Sequence, residues 1–457
     1  MNPANPCNHE IMSTTTWLPD LIYIDGLFQS GRALVCDDKI LKITDANESP
    51  DAIRLNNRAL LPGLINAHSH AFQRIIRGRT EHRSHHTTDS FWTWREQMYA
   101  AANRLGPEDI YAASRLAFLE MALTGITAVG EFHYIHHAPD GSTYSDPNLL
   151  SREVIRAAHD VGIRIALLRV AYARSGFETE PNPQQIRFIE HSPDTYLKHL
   201  EQLLDAPELK NDMAWAGVAP HSVRAVPLDY LKTVVAFANE RGLPVHMHVA
   251  EQPAEVSACI EEYGRSPVAL LETEGLLSKR FTAVHAIHVT PKAIASMARA
   301  GAIVCACPTT ERNLGDGVVP VDAYFDAGVR VALGTDSQIQ IDLLEDAREV
   351  EYHLRLQKTA RNVLAPVDDD SSSALARRLF ECATVRGAES IGFAGGKLEP
   401  GAPADFFTVD LDDLSIAGCS VDDLLANIVF SLSRTAVRDV VVAGKQIVKD
   451  GSHGLHG

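Results

Sequence analysis

The sequence is poor in cysteine, poor in positive charge and without any long apolar run. Seven cysteines in 457 residues (7, 36, 259, 305, 307, 382 and 419) are odd in number and scattered. That pattern makes no disulfide framework and fits reduced thiols in a cytosolic setting. Cys305 and Cys307 form the one close pair, inside the run AIVCACP. No second pair completes a structural zinc site, so these two are expected as buried core thiols. No stretch approaches the roughly 18 consecutive apolar residues that span a bilayer. The opening MNPANPCNHE has neither a basic segment nor an apolar core. No secretory signal is read there, and a cytoplasmic protein is expected. Lys and Arg number 42 against 59 Asp and Glu, a formal net charge of −17. Such a balance argues against a general phosphate-backbone binder, so neither nucleic acid nor membrane is an expected partner. The patterns GxGxxG, GxxxxGK[ST] and GxSxG are also missing. Nucleotide-fold and serine-hydrolase readings lose support with them.

What is present is a folded composition, with 45% apolar and 22% charged residues. Residues 1–17 read as a flexible tail. Residues 18–60 and 394–457 read as short strands with turns, two strand-rich ends that can pair into one small β-sandwich domain. Between them, over 61–393, short β-branched runs alternate with helical patterns. The runs are LLPGLINAH (60–68), TAVGEFHYI (127–135), RIALLRV (164–170), AWAGVAP (214–220), PVHMHVA (244–250), FTAVHAIHV (281–289), AIVCACP (302–308) and VRVALGTD (329–336). Eight such units predict an α/β fold, a (β/α)8 TIM barrel of parallel strands.

In such barrels the active site lies at the C-terminal ends of the strands. Histidines and carboxylates gather there. His68 and His70 end the first run two residues apart, so on extended backbone both point the same way. His248 ends the fifth run and Asp336 the eighth. Three imidazoles and one carboxylate suit Zn²⁺ with a position left for water, although Fe²⁺ or Mn²⁺ would also be accepted. His246 shares a strand face with His248; it lies deeper, and a hydrogen-bonded core role is expected for it. The fourth run has no Lys that could be carbamylated to bridge two ions, which favours one ion per subunit. His82, His85, His86, His136 and His137 fall in expected loops and read as loop-packing or solvated side chains. Gln338, near the mouth, receives no role.

The motifs PGLINAHSH, HVAEQ, VHA, CPTTERNLGDG and LGTDS occur in this order. Together they resemble the amidohydrolase superfamily, in particular its mononuclear deaminase branch, over roughly residues 20–450. HSHAFQR (68–74), DSFWTWREQMY (89–99), EFHYIHHAPDG (131–141), HSVRAV (221–226), TERNLGDG (310–317) and EVEYHLRL (349–356) are similar to the formiminoglutamate deiminases within it. The resemblance implies zinc-dependent hydrolysis of N-formimino-L-glutamate to N-formyl-L-glutamate and ammonia, in histidine degradation, by a homodimer. It gives Asp336, Glu251 and His285 the proton-handling and water-orienting roles. It carries substrate contact onto Gln73, Arg95, Tyr134, His221 and Arg224. Two rival readings remain at this point: a deaminase of nucleobases or adenosine derivatives, and a barrel without catalysis used for assembly.

Overall fold

The computed structural model describes residues 14–83 and 89–455. Most of the expected tail, together with His85 and His86, lies outside those residues. The first strand opens at Thr15, inside the stretch read as tail.

Eight parallel strands form the barrel. They are β1 (Leu64–Ser69), β2 (Ile126–His133), β3 (Arg164–Ala171), β4 (Ala214–Pro220), β5 (Val245–Val249), β6 (Phe281–His285), β7 (Ile303–Ala306) and β8 (Arg330–Leu333). Each pairs with the next in chain order. Of the strand residues, only Trp215 and Arg330 are not buried. Burial on both faces explains why the runs read as continuous apolar segments and not as alternating ones. The cylinder closes where Ser69 bridges Asp336, just past the end of β8. Gly334 permits the closure: a Cβ there would stand 2.7 Å from the Cβ of His68.

The run expected as one first strand is divided between two sheets. Ile53–Pro62 belongs to the small domain, Leu64–Ser69 to the barrel, and Gly63 stands between them. A side chain on Gly63 would collide with Thr127, its would-be Cβ lying 2.2 Å from Oγ1. The small domain is one continuous nine-stranded sheet built from both ends of the chain. Phe406–Asp410 pairs antiparallel with Ile53–Pro62, which pairs parallel with Thr15–Ile24. Its core includes the edge-to-face pair Trp17 and Phe406, with centroids 5.7 Å apart. The C-terminal segment is not strand alone. Helix Leu424–Ser431 packs into the barrel's outer layer, where Val429 offers its carbonyl to Arg348 Nε at 3.0 Å. No helix among the described residues is long and apolar enough to cross a membrane.

One buried ion pair ties the small domain to the barrel, and a second anchors the segment that follows β3. Arg164, at the start of β3, forks onto Asp405 of the small domain at 2.7 and 3.0 Å. Arg169, farther along β3, forks onto Glu190 at 2.6 and 3.1 Å, and His199 Nδ1 lies 2.5 Å from the same carboxylate. Burial alone would raise the Glu190 carboxyl, but Arg169 and His199 hold it well below the usual range. Removing its charge leaves a fully buried guanidinium uncompensated. Glu190→Gln is therefore expected to lose about 3 kcal/mol of stability at neutral pH. A carboxyl held low in the folded state stabilises above its unfolded pKa and loses that contribution as pH falls. The difference between wild type and variant should thus shrink below about pH 4.5. Urea unfolding across pH measures it, and a neutral-pH difference under about 1 kcal/mol would contradict this account.

Candidate active site

Two backbone hydrogen bonds hold the first and last strands together at the site itself. Asp336 N–H donates to the His68 carbonyl and His70 N–H donates to the Asp336 carbonyl, both at 3.0 Å. Asp336 makes this bridge at φ +48°, a left-handed conformation uncommon for a residue with a side chain. Its carboxylate thereby turns onto the two imidazoles. Asp336 Oδ1 lies 3.5 Å from His68 Nε2 and 3.3 Å from His70 Nε2, and those nitrogens are 3.2 Å apart. With His248, these donor atoms all fall within 4.8 Å of one another, and all four residues are buried.

Carbonyl groups hold two of the three rings in place. His70 Nδ1 donates to the Phe132 carbonyl at 2.9 Å, and His248 Nδ1 to the His221 carbonyl at 3.1 Å. A proton held at Nδ1 leaves the Nε2 lone pair facing inward, the tautomer a metal ligand needs. Burial pushes His68 down to about 3 and lowers His70 and His248 as well, so all three rings are neutral. Burial would raise Asp336, but the close His68 imidazole and the charge of His285 hold it below the usual carboxylate range. Three neutral imidazoles and one carboxylate, with two nitrogens facing each other and no proton to share, fit a divalent transition metal ion.

A further set of groups supports this one. Glu131 accepts from Ser69 Oγ at 2.5 Å and from Ala71 N–H at 2.7 Å, fixing the backbone on both sides of His70. Gln338 Nε2 donates to Ser69 Oγ at 2.8 Å and to the Asp336 carbonyl at 2.9 Å. Gln338 thus braces the closure, a role its sequence position did not suggest. Glu311 accepts from Cys307 N–H at 2.9 Å and faces His285 Nδ1 at 3.1 Å, which aims His285 Nε2 back into the site. Glu311 lies inside the quoted motif TERNLGDG; only the fold brings it beneath His285. His285 Nε2 stands 3.7 Å from both Glu251 Oε1 and Asp336 Oδ2. Burial opposes a charge on His285, but Glu251, Glu311 and Asp336 together raise its pKa well above the ordinary value. Burial pushes Glu251 up to about 7, partly opposed by His285.

Gln73, Arg95, Tyr134, His221 and Arg224 all line the cavity above these groups. Arg95 comes from helix Phe91–Ala102, in the insertion after β1, and Arg224 from the loop after β4. Arg95 Nε and Nη1 and Arg224 Nη1 are buried without a hydrogen-bond partner. Both guanidiniums lie over the Trp92 ring, at 4.5 and 5.9 Å from its centroid. Gln73 Nε2 donates to Tyr134 Oη at 2.9 Å, and its own carbonyl oxygen is unpartnered. Free guanidinium donors therefore converge on the space beside the metal-type ligands, which suits an anionic ligand. His246 sits one turn of the pleat deeper, with Nε2 2.9 Å from the Ser390 carbonyl. His136 and His137 are buried against the carbonyls of Val170 and Ile189. Cys305 and Cys307 are buried free thiols.

The amidohydrolase family profile matches residues 59–447. A formimidoylglutamate deiminase of Pseudomonas aeruginosa is 38% identical over 94% of this chain and 93% of its own. A 5-methylthioadenosine/S-adenosylhomocysteine deaminase of Natronomonas pharaonis is 28% identical over 90% of this chain and 86% of its own. Among solved structures, an amidohydrolase from Brucella melitensis superposes with a TM-score of 0.88 at 34% identity, covering 97% of this chain and 96% of that one.

The ligand geometry makes two outcomes measurable. His70→Ala should lower bound metal from about one equivalent to a small fraction of it. Gln338→Ala keeps all four ligands but frees the bridge, and should weaken metal affinity about 10- to 100-fold. Metal analysis and competition with a chelator read both; full occupancy in His70→Ala would contradict the ligand set.

Proposed function

The chain belongs to the amidohydrolase family, and from that premise we propose that it hydrolyses N-formimino-L-glutamate to N-formyl-L-glutamate and ammonia, with one Zn²⁺ per subunit. It is a hydrolase acting on C–N bonds. The observation that carries the substrate is the pair of half-buried guanidiniums, Arg95 and Arg224, lining the cavity of the donor set with buried nitrogens that have no hydrogen-bond partner among the described residues. A dicarboxylate satisfies both, whereas a flat nucleobase leaves at least one buried charge unpaired.

His68, His70, His248 and Asp336 would hold the ion. Bound there, a divalent ion supplies hydroxide near neutral pH by lowering the pKa of water, and stabilises developing negative charge. The reaction adds water across the C=N bond and expels ammonia, so one proton must travel from water to the leaving nitrogen. Asp336 accepts the proton of the attacking water. Glu251, at about pKa 7, exchanges protons near neutrality and delivers one to the imino nitrogen. His285, aimed by Glu311, orients the attacking oxygen. Arg95 and Arg224 hold the two carboxylates, with His221, Tyr134 and Gln73 also in contact with the substrate, and so place the formimino carbon over the ligand set. The same reading makes the protein a cytoplasmic, homodimeric enzyme of histidine degradation.

Ammonia release from N-formimino-L-glutamate should be rapid with zinc-loaded protein and abolished by chelation. No release from folded, zinc-loaded protein, or faster release from 5-methylthioadenosine or a nucleobase, would overturn the assignment. Arg224→Ala should lower kcat/KM about 10²-fold with metal content whole, the loss typical of a buried charged hydrogen bond. Unchanged efficiency would remove Arg224 from the carboxylate site.

A further inference from the structure

The lining of the cavity contains a hydrogen-bond arrangement that the reaction as described leaves unused. Tyr99 and Tyr172 line the same cavity as Arg95 and Arg224. Behind them, Gln185 is 1% exposed and belongs to the short 3-10 segment Pro183–Phe188. Its Nε2 donates to Tyr99 Oη at 2.6 Å and to Tyr172 Oη at 2.7 Å. Its Oε1 is buried with no partner. The opposite amide orientation would bury an NH2 group with both protons unpaired, the costlier defect. Each phenol oxygen thus accepts from Gln185 and keeps its own proton to donate elsewhere. The two oxygens lie 3.5 Å apart, the outer limit of a mutual hydrogen bond, so a carboxylate in the cavity competes well for both protons. Tyr134 differs: it accepts from Gln73 Nε2 but donates its proton to Met98 Sδ at 3.4 Å.

The segment that carries Gln185 is itself anchored. Phe188, fully buried, packs against the rings of Tyr99, Tyr134 and Tyr172 at centroid distances of 5.6, 5.2 and 6.0 Å. Arg187 donates to the carbonyls of Ala102 and Leu105, and Asn103 Nδ2 to that of Gln184 at 2.8 Å. These bonds grip the C-terminal end of the helix that presents Arg95 and Tyr99.

We propose that Tyr99 and Tyr172 are carboxylate-binding, specificity-determining residues and that Gln185 is the positioning residue that turns their hydroxyl protons into the cavity. The proposal rests on the dicarboxylate reading above. In Gln185→Glu the carboxylate accepts both phenol protons and turns them away from the ligand, with no change in side-chain length.

The test measures binding of N-formyl-L-glutamate, and of the two analogues in which one carboxylate is an amide, to zinc-loaded wild type, Tyr99→Phe, Tyr172→Phe and Gln185→Glu. Binding is read by calorimetry, with metal content and melting temperature followed in parallel. Each Tyr→Phe should weaken N-formyl-L-glutamate about tenfold, the scale of one hydrogen bond to a charged group. The same substitution should weaken one of the amide analogues under about threefold, because its carboxylate is missing there. Gln185→Glu should lose at least as much as the two phenylalanine variants combined. A merely structural role would weaken all three ligands alike, and that result would overturn the proposal, as would wild-type affinity in the phenylalanine variants. Failure of wild type to bind any of the three ligands would instead count against the dicarboxylate reading itself. If Gln185→Glu does not fold, the isosteric phenylalanine variants decide the matter.

Discussion

The site depends on a pair of backbone hydrogen bonds, from Asp336 N–H to the His68 carbonyl and from His70 N–H to the Asp336 carbonyl. These bonds close the barrel between β1 and β8, and the residues that make them are three of the four proposed metal ligands. Barrel closure and ligand assembly are one event. The ring of strands cannot open at this seam without separating the donor atoms. That constraint explains the polar network beneath it, where Glu131, Ser69, Gln338, Asn66 and Thr335 bond to one another and to the seam. It also explains the glycine at 334, since any side chain there would push β8 away from His68.

Backbone strain collects at the same rim. Asp336, Gln338, His285, Ala286 and Ala250 all take positive φ, each just beyond the end of a barrel strand or at its last residue. Each such residue costs of the order of 1–3 kcal/mol and persists only where the surroundings over-determine it. Here two things determine it: the parallel strands and the hydrogen bonds of Glu311, Glu255 and Gln338. The rim is therefore rigid where donor atoms must meet. The inserted helix that bears Arg95 is held from outside, through the segment carrying Gln185 and Arg187.

The charge distribution answers the acidic composition. A chain of net charge −17 repels a dicarboxylate at long range. Arg95 and Arg224 are half-buried beside one cavity and form no ion pair among the described residues, while the buried Arg164 and Arg169 are forked onto Asp405 and Glu190. The difference marks the first two as groups waiting for a ligand and the second two as framework.

Much of this was legible along the chain. Eight apolar runs spaced by helical patterns specify the barrel because parallel strands covered on both faces must be continuously apolar. The H-x-H pair after the first run and the carboxylate after the eighth are legible because strand ends face one rim. Where the C-terminal strands of the small domain give way to helix 424–431 was not legible, because that apolar stretch is short enough to suit either structure. Nor was the division of LLPGLINAH between two sheets, since a single glycine makes it. Glu311, Gln185 and Gln338 owe their roles to partners 26, 86 and 269 residues away. Local pattern carries residue type and strand order, which is why it determined the fold class and the ligand chemistry. Which buried polar atom meets which, and which cavity-lining arginines lack a partner among the described residues, depends on contacts between distant segments that only the closed barrel creates.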